Sequence, residues 1–194
     1  MTRQVIPDMT LALSVGRFGG RNESAARPVS SVLRYGDAMA QYRFVTTWCL
    51  DAPIEPVFAA IEDAARWPEW WKGVREAELL EEGDEDGVGR LWRYVWRSRL
   101  PYDLAFESRV TRMERPHLME GTADGELVGV GRWRLYEGQG TAVVYEWDVR
   151  TARAWMNHLA PVARPVFGWN HDVVMRQGGE GLARRLGAPL RVSA

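Results

Sequence analysis

Between Tyr42 and Arg150 apolar and polar residues alternate with a period of two, and beyond Arg153 the period lengthens to that of a helix. Successive side chains of a strand point to opposite faces, whereas residues three and four apart share one face of a helix. The first run, Tyr42–Leu50, sets Tyr42, Phe44, Thr46 and Trp48 against Arg43, Val45, Thr47 and Cys49. Asp51 then reads as an N-cap with Pro53 at the start of a helix. That helix runs from Ile54 to Asp63, with Val57, Phe58 and Ile61 as its apolar stripe. Trp67-Pro68 breaks it, because the residue before a proline avoids the helical region, and Glu69-Trp70-Trp71 makes a second short turn of helix. Six more strands follow: Val74–Glu82, Arg90–Leu100, Tyr102–Met113, His117–Asp124, Glu126–Tyr136 and Thr141–Arg150. Short turns join them, among them the acidic, glycine-rich GDEDGVG and the EGQG segment. Strands joined this way pair antiparallel, since parallel pairs need a longer crossover.

From Arg153 to about Leu186 the spacing predicts one long amphipathic helix. Its stripe is Trp155, Leu159, Val162, Val166, Trp169 or Asn170, Val173, Gln177 and Leu182. Arg153, Arg164, Asp172, Arg176, Glu180 and Arg184 fall on the other side. Pro161 and Pro165 are expected to kink it, and Gly187 with Pro189 to stop it. A helix of this length needs an apolar surface to lie on. The strands supply one. Trp92, Tyr94 and Trp96 share a face, as do Leu104, Phe106, Ser108 and Val110, then Gly131, Trp133 and Leu135, then Val143, Tyr145, Trp147 and Val149. The opposite faces carry arginines and acids, the pattern of a sheet with one wet side. The expected architecture is α+β: a curved antiparallel sheet wrapped around the long C-terminal helix, with two short helices after the first strand.

Composition narrows the partners. A net charge of −1 gives no reason to expect nucleic acid. No apolar run approaches the roughly 18–20 residues of a membrane span, and no secretory signal opens the chain. A lone cysteine, Cys49, excludes an intrachain disulfide and fits a reducing compartment, so a cytoplasmic location is expected. Residues 1–40 have no sustained period and are expected to be a disordered or loosely attached extension. An alternative is a physiological start at Met39; a short strand or helix around Met9–Val15 is a third reading. The folded domain is placed at 41–188, with 189–194 as a tail. Nothing in the pattern sets an oligomeric state.

The candidate chemistry is concentrated on the aromatic face. Trp92, Tyr94, Trp96, Phe106, Trp133, Tyr145 and Trp147 exceed what one helix covers, which favours a ring-lined pocket with few polar tips. The same rings are bulky enough to fill that space as core. Asn170, on the helical stripe, is placed to orient a ligand carbonyl. Glu120 shares a face with Leu118 and Thr122: inward, it is a buried carboxylate fit for general acid or base work, and outward, an ordinary strand glutamate. His171, one step off the stripe and beside Asp172, is either a second acid–base candidate or a structural group. The three histidines have no metal-ligand spacing and Cys49 has no partner, so no metal and no cofactor are expected. No GxSxG elbow is present. Gly129-Val130-Gly131 lacks a third glycine and lies in a strand pattern, so it reads as a bend in the sheet rather than a phosphate loop.

Several stretches together resemble one family. They are Ala52-Pro53-Ile54-Glu55-Pro56-Val57-Phe58 with Trp67-Pro68-Glu69-Trp70-Trp71, then Gly129-Val130-Gly131-Arg132-Trp133-Arg134-Leu135, then Thr141-Ala142-Val143-Val144-Tyr145-Glu146-Trp147. The last is Trp169-Asn170-His171-Asp172-Val173-Val174-Met175 with Gly178 and Gly181-Leu182. Over about residues 42–186 the chain resembles the polyketide cyclase/dehydrase-like members of the START/Bet v 1-like (SRPBCC) superfamily. The resemblance implies the helix-grip fold, a seven-stranded antiparallel sheet around a long C-terminal helix with a hydrophobic tunnel. It also implies a hydrophobic ligand, since relatives bind lipids, sterols or polyketides and some are cyclases or aromatases. Fold alone does not choose among these. The expected function is therefore the binding of a hydrophobic, ring-containing small molecule or lipid. The alternatives are a cyclase/dehydratase-type enzyme and a partner-binding module with a filled core.

Overall fold

The order of elements follows the change of period along the chain. In a computed structural model the described residues are 41–97, 103–151 and 160–194, side chains of 160–164 excepted. Strand β1 (Gln41–Leu50) leads into α1 (Ile54–Glu62), a single 3-10 turn (Ala64–Arg66) and α2 (Trp67–Trp70). Then come β2 (Val74–Glu81), β3 (Leu91–Arg97), β4 (Asp103–Glu114), β5 (Leu118–Gly125), β6 (Leu127–Glu137) and β7 (Thr141–Thr151). Helix α3 (Ala160–Leu186) and β8 (Leu190–Ser193) complete the chain. The strands form one antiparallel sheet in the order β2-β3-β4-β5-β6-β7-β1-β8. This is the helix-grip arrangement with one strand more than expected. Residues 189–194, read from sequence as a tail, pair with β1: the Thr47 amide donates to the Ala194 carbonyl over 2.6 Å, and the Ala194 amide donates back over 3.0 Å. Four residues of LRVS between a stop signal and the terminus carry too little pattern to register as a strand. The readings of residues 1–40, of the β3–β4 boundary at Leu100–Tyr102, and of the helix start with Trp155 and Leu159 lie outside the described residues.

The two faces of the sheet separate as the alternation predicts. Tyr42, Trp48, Trp92, Tyr94, Trp133, Leu135, Val143 and Val149 are buried inside. Outside runs a ladder of ion pairs, Arg43–Asp148, Arg93–Glu107, Arg109–Glu81 and Arg132–Glu146 among them. Exposed pairs of this kind add little stability each; their service is a wet, soluble face. Asp51 is not the cap of α1: Pro53 holds the N-cap position, and Arg191 of β8 donates to the Asp51 carboxylate instead.

Helix α3 meets the sheet through a stripe that only partly coincides with the predicted one: of the predicted positions Asn170 borders the cavity and Leu182 is buried, but Val166 and Trp169 are not inside. Val166 and Trp169 are 45% and 52% exposed, while Met175 and Leu182 are buried and Phe167, His171 and Val174 face inward. The reason is glycine. Gly178 and Gly179 carry no apolar weight, yet they let the helix backbone close on Trp71 and Trp48. A Cβ on Gly178 would run into the Trp71 ring at Cε2, with Cζ2 2.6 Å away. Trp71 also donates its indole N–H to the Val174 carbonyl over 2.9 Å, fixing the helix to α2. Gly187 takes the left-handed conformation (φ 61°) and ends the helix. Ala188 donates to the Ala183 carbonyl and Gly187 to that of Arg184, the two bonds of a Schellman cap.

Candidate functional site

The cavity begins with a pair of glycines. Gly121 of β5 and Gly131 of β6 are register partners on the inner face of the sheet. A Cβ on Gly131 would lie 2.8 Å from the Trp147 ring and 2.9 Å from the Tyr145 hydroxyl; one on Gly121 would lie 3.2 Å from Ser108 Oγ. Carbon contacts normally settle at about 3.5–4.0 Å, so only bare backbone lets these side chains lie down on the strands. Larger rings close over the gap. Phe106 of β4 and Trp147 of β7 have two strands between them, yet their centroids are 5.8 Å apart. With strands spaced about 4.8 Å, such a meeting requires strong curvature.

The walls are aromatic. Trp92, Tyr94 and Trp96 of β3, Phe106 of β4, Trp133 of β6, and Tyr145 and Trp147 of β7 all border the cavity. Trp133 and Tyr145 stack at 4.0 Å, and Tyr94 stacks on Trp67 at 5.3 Å. Helix α3 forms the roof with Phe167, Asn170, His171, Val174 and Met175. The space between them is about 210 Å³. At the roughly 30 Å³ that each water takes up in the liquid, that is room for about seven water-sized groups. The tryptophans therefore do both things open to them: Trp48 and Trp70 pack as core, while Trp67, Trp71, Trp92, Trp96, Trp133 and Trp147 border the cavity without filling it.

Several lining residues were not singled out in the sequence. Trp67 touches Tyr94, Trp71, Trp96 and Trp133, the middle of the aromatic cluster. Its one local signal, the following proline, marks a helix break and says nothing of where the ring turns. Tyr42, Phe44 and Phe167 also border the cavity. The parity of β1 puts Tyr42 and Phe44 on the inner face, but not at the helix end of it.

The two acid–base candidates are placed differently. Glu120 lies opposite Arg112 and Arg132 in the register, and Arg132 donates its Nε–H to the Glu120 carboxylate over 2.5 Å. The inward residues of β5 are Met119, Gly121 and Ala123, so the face of Glu120 is the charged one, and the condition for a cavity acid, an inward carboxylate, is not met. His171 faces inward, one step from the predicted stripe because the true stripe is shifted. Its ring stacks on Phe44 at 4.2 Å, its side chain is 13% exposed, and Asp172 Oδ1 is 3.7 Å from Nδ1. Burial pushes its pKa down to about 4 against the opposing pull of Asp172, so the imidazole is neutral near pH 7. Both ring nitrogens are closed off and without a hydrogen-bond partner among the described residues.

Among the described residues the remaining polar groups of the cavity carry no unpaired charge. Glu62, at the end of the cavity nearest α1, accepts from Arg115 Nε over 2.9 Å, and that hydrogen bond holds its carboxyl below the usual range. Burial pushes the phenols of Tyr94 and Tyr145 up, which keeps both protonated. Among the described residues no group of three or more His, Cys, Asp or Glu could hold a metal ion, and no helix is long and apolar enough to cross a membrane.

Solved structures share this architecture. One is the di-domain ARO/CYC BexL from the BE-7585A biosynthetic pathway, with 22% identity and a TM-score of 0.61 over 75% of this chain and 50% of that one. The chain thus spans about half the length of this di-domain protein. The Zhui aromatase/cyclase from Streptomyces sp. R1128 matches at 16% identity and a TM-score of 0.60, over 77% of this chain and 94% of its own. A protein from Thermus thermophilus matches at 16% identity and a TM-score of 0.58, over 75% and 99%. Identities this low speak to the fold. No curated protein matches the sequence. Residues 50–177, well over half of the chain, match the model of a family described as polyketide cyclase / dehydrase and lipid transport. The chain belongs to this polyketide cyclase/dehydrase family, within the START/Bet v 1-like superfamily.

Proposed function

We propose that the chain binds a hydrophobic, ring-containing small molecule in the cavity between the sheet and α3. The observation that carries this reading is the space of about 210 Å³ held open among stacked rings, although six tryptophans, Trp67, Trp71, Trp92, Trp96, Trp133 and Trp147, stand on its border. Flat walls of indole and phenol favour a flat ligand, by offset or edge-on stacking worth about 0.5–1.5 kcal/mol per pair beyond area. The room suits two or three fused rings. The family match supports small-molecule binding in general. The first experiment is native mass spectrometry of protein purified from its own host, followed by denaturing extraction. A stoichiometric hydrophobic passenger is the expected result. A clean apo mass, together with unchanged tryptophan emission across a panel of lipids and aromatics, refutes the reading.

A second reading is a cyclase/dehydratase-type enzyme in the same cavity. It is favoured by the family and by the likeness to aromatase/cyclase structures. The placement of the candidates weighs against it, since Glu120 is tied to Arg132 outside and the His171 nitrogens are shut in. An enzyme would leave the extracted protein empty and turn over an added substrate; a carrier would return its ligand unchanged.

A further inference from the structure

The outer face of the sheet changes character toward β8. Elsewhere it alternates arginine with acid, as in Arg93–Glu107, Arg109–Glu81 and Arg132–Glu146. Two adjacent cross-strand rows break the pattern. One runs Tyr136, Ala142, Cys49 and Val192 across β6, β7, β1 and β8; the next runs Arg134, Val144 and Thr47. The row after that holds Arg132 and Glu146, with Val45 beside them. Residues directly opposite in antiparallel strands share a face, so these side chains adjoin. Val45 is 60% exposed, Tyr136 53% and Val192 44%; they are three of the five exposed large apolar residues among those described. Scattered apolar residues on a surface are ordinary, but a cluster marks a contact.

Charge points to what covers the cluster. A two-fold contact sets a surface against itself, so an excess of one sign would repel. Here the bordering charges are paired: Arg132 and Arg134 with Glu146 at 3.0 and 3.5 Å, and Arg43 with Asp148 at 3.1 Å. The seam between β1 and β7 also matches its own reverse. A second copy turned over this face about an axis along the seam lays its β1 on β7 of the first, with the sheets about 10 Å apart. Register partners then meet between copies: Cys49 against Ala142, Thr47 against Val144 and Arg43 against Asp148, each twice by symmetry. Tyr136 meets Val192, and Val45 meets Glu146, whose carboxylate is already held. The two Arg43–Asp148 pairs join into four charges of alternating sign. The Arg43 side chain, 78% exposed, stands out far enough to serve both.

We propose that this patch is a self-association surface, at which two copies of the chain pack sheet on sheet about a two-fold axis along the β1–β7 seam. The contact uses the face opposite the cavity, so self-association does not depend on what the cavity holds.

The test is sedimentation velocity of the full chain over a concentration series. The wild-type chain is expected to pass from monomer to dimer as concentration rises. Arg43→Asp makes the seam acidic and Asp148→Arg makes it basic, so each variant alone meets its own sign across the axis. Each is expected to weaken the dimer at least about tenfold. Mixed in equal amounts, the two are expected to recover it, because the acidic seam of one then faces the basic seam of the other. Recovery also certifies that both variants are folded. A wild-type chain that stays monomeric throughout the series leaves the patch to a different protein and overturns the proposal. A dimer that both substitutions leave intact overturns it too, as does a mixture that gains nothing over the separate variants.

Discussion

Replacing Gly178 by alanine should destabilise the protein, although the same change ten residues earlier in the same helix should stabilise it. Glycine in a helix interior costs about 1 kcal/mol relative to alanine, so on propensity alone both substitutions help. At Gly168 no atom of the described residues, the helix's own neighbouring backbone aside, lies within 4 Å of the added methyl. The gain is kept, and Gly168→Ala is expected to add about 1 kcal/mol. At Gly178 the methyl would run into Trp71 Cε2, with Cζ2 at 2.6 Å and Nε1 at 2.8 Å. Trp71 is 1% exposed and wedged among Trp48, Trp67, Trp96 and Trp133, so it has nowhere to go. Overpacking of this kind costs about 1–3 kcal/mol. Moving the helix also stretches the bond from Trp71 Nε1 to the Val174 carbonyl, about 1 kcal/mol more. Against the propensity gain, Gly178→Ala should lose about 1–3 kcal/mol net. For a domain of this size each kcal/mol moves Tm by about 2–4 °C. The two variants should therefore fall on opposite sides of wild type, roughly 5–15 °C apart, in thermal unfolding followed by near-UV circular dichroism. Equal stability, or Gly178→Ala as the more stable of the two, would refute the account of how the helix is seated.

Two further outcomes follow from the same contacts. The folded pKa of His171 is depressed from 6.5 to about 4, so the unfolded chain binds the extra proton between those values. Stability should fall as pH drops from about 6.5 to about 4, by up to about 3 kcal/mol, with no contribution above that window. His171→Phe keeps a ring on Phe44 and should flatten this slope relative to wild type in denaturant midpoints at pH 7 and 4.5; an unchanged slope would place the imidazole in water. Removing residues 189–194 takes away the β1–β8 pairing at Cys49 and Val192 and, beyond it, three backbone bonds, from Asp51 to Pro189 and both ways between Thr47 and Ala194. At about 0.5–1.5 kcal/mol each, the loss should be about 2–4 kcal/mol in urea unfolding, and a truncated chain as stable as the full one would show β8 to be an idle appendage.

The sequence was most legible where one residue type does one job. Strand parity placed Trp92, Tyr94, Trp96, Phe106, Trp133, Tyr145 and Trp147 correctly on the inner face, because a period of two leaves only two choices. The helix was legible in its existence and its end, where Gly187 is needed for a positive φ. Its rotation was not, because the stripe that meets the sheet is made partly of glycine, and glycine is silent in a hydrophobic count. Glu120 illustrates another limit. A bulge between Val110 and Arg112 shifts the pairing of β4 with β5, and no side chain announces it. The β5 segment LMEGTADG also alternates too weakly to say which face holds the core. The cavity itself is a property of what is missing from Gly121 and Gly131, legible only once their cross-strand neighbours are known.

The place of β1 in the sheet has a consequence for synthesis. The strand is made early, yet its two neighbours are β7 and β8, the last strands of the chain. A ribosome adding about 5–20 residues per second needs several seconds or more to travel from Leu50 to Thr141. Throughout that time Tyr42, Phe44 and Trp48 have no strand to pair beside, and the sheet closes only when β7 and β8 have been made. Pairings so distant along the chain are slow to form and expose apolar edges while they wait. In the cell this protein should therefore lean on chaperones as a nascent chain far more than as a finished one.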